Sequence, residues 1–182
     1  MIPTRAQCLL LFDKYNLPSQ KRIHVEAVTR LALFFAQKLK QKNIAINLKL
    51  IEAAALLHDI DKNIPILSGE RHPDTAVRVL NELDYSEVAS VVAHHSLQQI
   101  LKAQTAPQTW EEKTLYLADK MTKYEVIGIE HRFKLWYGEN LPPHAVAELD
   151  AALPQVKALE QAVYKAAGIS AEVVAREFSF QV

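Results

Sequence analysis

His58 and Asp59 stand side by side directly after the small-residue run Ala53-Ala54-Ala55-Leu56-Leu57, and Lys62 follows three residues after the aspartate. An imidazole beside a carboxylate at the end of an apolar helix offers one neutral nitrogen and one anionic oxygen to the same point in space. The pair becomes metal chemistry if further donors reach it. The chain supplies them: His24 precedes the pair, and His72, His94, His95 and Asp119 follow it, each placeable on a helix or at a helix end. Mixed imidazole and carboxylate ligands suit manganese, iron, zinc, cobalt or nickel, whereas magnesium and calcium take oxygen ligands. Cys8 is the single cysteine, so neither a thiolate-based structural zinc site nor an internal disulfide is expected.

These donors need elements to carry them, and the sequence reads as helices throughout. A short amphipathic helix over about 4–15 carries Leu9, Leu10 and Phe12, with Ser19 offered as the next N-cap. In the following helix, about 20–40, His24, Val28, Leu31 and Phe35 recur at helical spacing, so the histidine faces the core with the apolar stripe. Residues 44–51 alternate Ile44, Ile46, Leu48 and Leu50, a period compatible with a strand. The helical face formed by Leu48, Ile51, Ala55 and His58, with Asn47 as cap, is the preferred reading.

A connection of about a dozen residues containing Pro65 and Gly69 leads to His72, and Pro73 suits the first turn of the next helix. A helix over about 86–95 puts Val88, Val91, Val92 and His95 on one stripe, with His94 about 100° away. This favours His94 as the donor, because His95 continues the stripe into the packing. Thr109 and Glu112 form a capping-box pattern opening a helix that carries Leu115 and Asp119. Beyond Gly128, three further helical segments are expected: one holding Arg132 and Trp136, one opened by Pro142-Pro143, and one from Pro154 to Ala167 stopped by Gly168. Ser170 offers a cap for a last helix, and Phe178-Ser179-Phe180 fits either its end or an extended tail. These C-terminal helices complete the core or wall a pocket.

Composition bounds the reading. The chain has 182 residues, 49% of them hydrophobic, with Lys+Arg equal to Asp+Glu at 21 each. That predicts one soluble domain over residues 1–182 and argues against the clustered positive charge a nucleic-acid polymer requires. No apolar run approaches the roughly 20 residues of a membrane span, and residues 1–6 lack the layout of a signal peptide. A cytoplasmic location is expected.

The order His24, His58-Asp59, Asp119, with His58-Asp59-Ile60-Asp61-Lys62 at its centre, resembles the defining motif of the HD-domain metal-dependent phosphohydrolases. The resemblance covers a motif core of about 20–125, followed by additional helices over about 128–178. It implies an all-α helical bundle in which His24, His58, Asp59 and Asp119 form one metal site. It also implies a second site, with Asp59 bridging, where counterparts of His72 and of His94 or His95 exist. The implied cofactor is thus a divalent, dinuclear metal, iron or manganese foremost.

The implied activity is hydrolysis of a phosphate ester or anhydride of a small nucleotide-type substrate by metal-activated water. Asp59 and Lys62 are the expected catalytic residues. Lys62, Lys120, Lys123 and Arg132 are candidates for binding phosphate. Leu115-Tyr116-Leu117-Ala118-Asp119-Lys120 is similar to the branch that hydrolyses diadenosine tetraphosphate symmetrically, but His94-His95-Ser96-Leu97 departs from that branch. Doubled histidines also occur in cyclic-dinucleotide phosphodiesterases, and a non-catalytic, metal-stabilised nucleotide-binding regulator is the alternative of a different class.

Overall fold

Two buried helices set the frame of the computed structural model, which describes residues 1–181. The first, α2 (Ser19–Gln41), follows the short α1 (Arg5–Lys14) and buries His24, Val28, Leu31 and Phe35, the stripe expected from the spacing. The second, α3 (Leu48–Leu57), is capped by Asn47, whose side chain accepts from the amides of Lys49 and Leu50. Ala53, Ala54 and Ala55 are all buried, and their small side chains let α3 lie close against α2. Truncating a buried residue such as Phe35 to alanine in this seam would cost about 3–5 kcal/mol.

The remaining elements are α4 (Asp74–Glu82), α5 (Ser86–Val92), α6 (Trp110–Lys120), α7 (Gly128–Tyr137), α8 (Pro143–Ala167) and α9 (Ala171–Phe178). Single 3-10 turns occupy Ile60–Asn63 and Leu97–Leu101. The described residues contain no strand, only an isolated bridge between Thr122 and Val126, so the fold is all-α and the period-two alternation near 44–51 is not a strand. Among the described residues no helix is long and apolar enough to cross a membrane.

The capping box at Thr109 and Glu112 forms as read. Ser19 is not a cap but the first residue of α2, behind Pro18. The expected break at Pro154 is absent: α8 runs through it as one helix of 25 residues, closed by Gly168 at φ 65°. Pro154 and Asp150 lie on the exposed side, so the carbonyl left without a donor four residues earlier meets water. The opposite side, Leu149, Ala152, Val156 and Val163, stays buried and holds the helix onto the core. Side chains of α7, α8 and α9 (Phe133, Val156, Tyr164, Val174) belong to the same hydrophobic cluster as α2 and α3.

Candidate metal centre and cleft

Four helix-borne segments deliver the donors to one place. His24 sits in the second turn of α2, His58 caps α3, Asp119 is the penultimate residue of α6, and His95 follows the end of α5. His72 arrives on the loop before α4. Each ring is oriented through Nδ1. His24 donates to the carbonyl of Lys123 (2.6 Å), His58 to that of Ala55 (2.8 Å), His95 to that of Val92 (2.6 Å), and His72 to Oδ2 of Asp61 (2.8 Å). These partners can only accept, so the proton of each neutral ring is on Nδ1 and the lone pair on Nε2.

The lone pairs then face one another. Nε2 of His24 lies 3.3 Å from Nε2 of His58, and Nε2 of His72 lies 2.9 Å from Nε2 of His95. Two neutral acceptors at these distances repel unless a cation lies between them. Asp59 divides its carboxylate between the two pairs: Oδ2 is 3.9 Å from Nε2 of His24, and Oδ1 is 3.5 Å from Nε2 of His72. Two groups of donors result, His24-His58-Asp59 and Asp59-His72-His95, each converging within 4.8 Å. Asp119 joins the first, its Oδ1 lying 3.1 Å from Nε2 of His24 and 3.6 Å from Nε2 of His58. The donor chemistry therefore fits divalent cations at both places.

The charges are arranged to keep the carboxylates ionised. Burial alone would raise the Asp59 pKa, but His58, Lys62 and Lys21 outweigh it and draw the group well below the usual carboxylate range. Asp119 is drawn down in the same way against burial, by Lys120 foremost. Burial foremost depresses His95 and holds it neutral as a donor. For His58 burial works against protonation, while Asp59 and Asp119 raise its pKa overall.

Two expectations are corrected. His94 is not brought to the cluster: its Nδ1 donates to the carbonyl of Thr105 at 2.8 Å, and its Nε2 lies 3.9 Å from Glu112. His95 takes the place, since α5 stops at Val92 and the amides of His94 and His95 turn back to the carbonyls of Val91 and Val92. That 3-10-like tightening changes the angular offset, and the packed face that His95 continues is itself the wall of the site. Lys120, expected at the phosphate, does not line the cleft. It is buried, 3% exposed, donating to the carbonyl of His95 at 2.8 Å and pairing with Asp119, with its ammonium 4.8 Å from the centre of the Tyr116 ring. It ties a donor of each group together.

The other three phosphate-binding candidates come together. Lys62, Lys123 and Arg132 line one cleft of about 390 Å³ with His24, Pro18, Gln20, Tyr124 and Glu139. Lys21 is there too, and sequence reasoning missed it, although it lies three residues before His24 on the same helical face. Its Nζ is 2.9 Å from Oδ2 of Asp59, mirroring Lys62 at 3.1 Å from Oδ1. Asp61 was missed as well. It is 8% exposed, holds His72 through Oδ2, and leaves Oδ1 buried without a hydrogen-bond partner. Behind His72, Glu70 closes the loop by accepting from the amide of Leu67, the hydroxyl of Thr75 and the guanidinium of Arg78.

Residues 22–124, more than half of the chain, match the family model described as the HD domain. No solved structure matches the chain.

Proposed function

The chain belongs to the HD-domain family of metal-dependent phosphohydrolases, and from that premise we propose that it hydrolyses a phosphate ester or anhydride of a nucleotide-type substrate at a two-ion centre. The observation that carries this reading is the sharing of Asp59 between two donor groups, next to a cationic cleft that His24 and the two lysines paired with Asp59 line. His24, His58, Asp59 and Asp119 would hold one ion, and Asp59, His72 and His95 the other. When bound, such ions lower the pKa of coordinated water and neutralise phosphoryl oxygens.

The chain's own groups do the rest. Lys123, Ala55, Val92 and Asp61 hold the four rings in the tautomer that turns Nε2 inward. Lys21 and Lys62 lie against Asp59 at the cleft wall. With an ion held by that carboxylate, both ammonium groups would be available to phosphoryl oxygens and to charge on the departing oxygen. Tyr124, 48% exposed at the cleft, offers a flat face to a nucleobase, which supports a nucleotide over a simple phosphate ester.

The test is turnover of a panel of nucleotides, dinucleoside polyphosphates and cyclic dinucleotides by metal-loaded protein, with and without chelator. Hydrolysis of at least one member, abolished by metal removal and restored by a divalent ion, is expected. Full activity of stripped protein in chelator would refute the catalytic role of metal. Binding of nucleotide without any turnover would refute the enzyme reading in favour of a sensor.

A further inference from the structure

Lys123 and Arg132 occupy the cleft for a reason the paired histidines do not supply. Lys21 and Lys62 are ion-paired to Asp59, whereas Lys123 and Arg132 are in no ion pair among the described residues, although both line the same cleft. Arg132 is on α7, outside the matched family segment. Its guanidinium lies 4.1 Å from the centre of the Trp136 ring, and its Nε is buried with no hydrogen-bond partner. Burial disfavours this charge, and Asp119, Glu139 and Asp59 support it only from a distance. A guanidinium does not give up its proton in a protein, so the half-buried group keeps its charge together with an unsatisfied donor.

The segment before α7 presents its neighbour just as deliberately. The amides of Ile127 and Gly128 both donate to the carbonyl of Met121, at 2.8 and 3.1 Å, closing a turn that holds Lys123 and Tyr124 beside His24. The backbone of Lys123 orients His24, and its ammonium lies 5.7 Å from the centre of the Tyr124 ring at the cleft, in no ion pair among the described residues. Planar, fixed guanidinium donors match phosphoryl oxygens in pairs, and a nearby ammonium adds a point charge.

Resting on the phosphohydrolase reading of this site, we propose that Arg132 and Lys123 form a second phosphoryl subsite, so that the substrate is a phosphoanhydride carrying two or more linked phosphates. In the hydrolysis this implies, the oxygen of water bonds to the phosphorus at the histidine end as the bridging P–O bond breaks. The electron pair leaves on the bridging oxygen with the phosphoryl group held by Arg132, and the protons of water pass to the phosphate products or to solvent.

The test compares methylenediphosphonate with methylphosphonate, neither of which is hydrolysed, by calorimetric titration of metal-stripped and metal-loaded protein. Wild type is expected to prefer the diphosphonate by about ten-fold or more in both forms, since side chains supply the recognition. Arg132→Ala should remove most of that preference while leaving methylphosphonate binding within about two-fold, and Arg132→Lys should restore part of it. Equal affinities in wild type, or an unchanged preference in Arg132→Ala, overturn the subsite. Should Arg132→Ala fail to fold, Lys123→Ala, at the partly exposed turn, gives the same decision: a weakened diphosphonate alone supports the subsite, and no change overturns it. An Arg132-dependent preference in a protein that hydrolyses nothing would keep the subsite and discard the enzyme reading. Hydrolysis with the KM of a nucleoside diphosphate unchanged in Arg132→Ala would do the reverse.

Discussion

Replacing Asp59 by asparagine keeps the shape of the side chain and removes the one negative charge that both donor groups share. Each group then has only neutral nitrogens, apart from Asp119 beside the first, while Lys21 and Lys62 remain 2.9 and 3.1 Å from the altered side chain and repel an incoming cation. Metal content should fall from close to two ions per chain to near zero. His72→Ala touches only the second group and should leave close to one. His94→Ala should leave two, because its ring faces Glu112, whereas His95→Ala should behave as His72→Ala does. The same series reads out in stability. A ligand at 100 times its Kd adds about 2.7 kcal/mol per site, and a chain of this size gains about 2–4 °C in Tm per kcal/mol. Metal-loaded minus stripped Tm should therefore be roughly 10–20 °C for wild type, about half that for His72→Ala and His95→Ala, and near zero for Asp59→Asn. Elemental analysis and thermal melts decide it. Full metal content in His72→Ala, or loss of an ion in His94→Ala, would refute the assignment of these rings.

Three other changes probe the surrounding groups. Lys62→Ala should lower kcat about ten-fold or more, on the order of 1.4 kcal/mol. It should also keep its metal, since removing a positive charge 3.1 Å from Asp59 cannot weaken cation binding; an unchanged rate would make Lys62 a bystander. Lys120→Met breaks a buried pair with Asp119 and should destabilise the stripped protein by about 3–5 kcal/mol in urea unfolding, with an unaltered midpoint counting against its tying role. Glu70 is drawn down to about 2, chiefly by its hydrogen bond from Arg78 and then by Leu67 and Thr75. Its folded pKa lies below the unfolded value of about 4.3, so its stabilising contribution is complete above pH 4.3 or so and fades as pH falls towards 2. Protection of the Leu67 amide, referred to the intrinsic exchange rate at each pH, should hold near pH 5 and fall towards pH 2, and Glu70→Gln should show the lower protection already at neutral pH.

Much of the frame was legible because it obeys local rules. The stripe of α2 follows from the 3.6-residue period, and Asn47, Thr109-Glu112 and Gly168 mark helix ends by chemistry acting over three or four residues. His24 and His58-Asp59 inherit their inward direction from those helices. Lys21 was legible in principle, one turn before His24, yet a lysine three residues from a histidine is common on solvated helices and nothing local marks it. The continuity of α8 through Pro154 was not legible, since it depends on which face of the helix meets water, and that is settled by distant packing partners.

The exchange of His94 for His95 shows where local reading stops. The sequence treats a buried stripe and a metal site as competing destinations, so a histidine continuing Val88, Val91 and Val92 is assigned to packing. In the fold the site lies inside the core: the rings of His58 and His95 meet edge to face at 4.9 Å, and the carbonyl of His95 takes the buried ammonium of Lys120. Burial is what keeps His95 neutral and its Nε2 available, while the half-exposed His94 is used to hold the loop at Thr105. Packing and ligation are then one requirement at His95, because the apolar neighbours that exclude water also suppress the protonation that would compete with a metal ion.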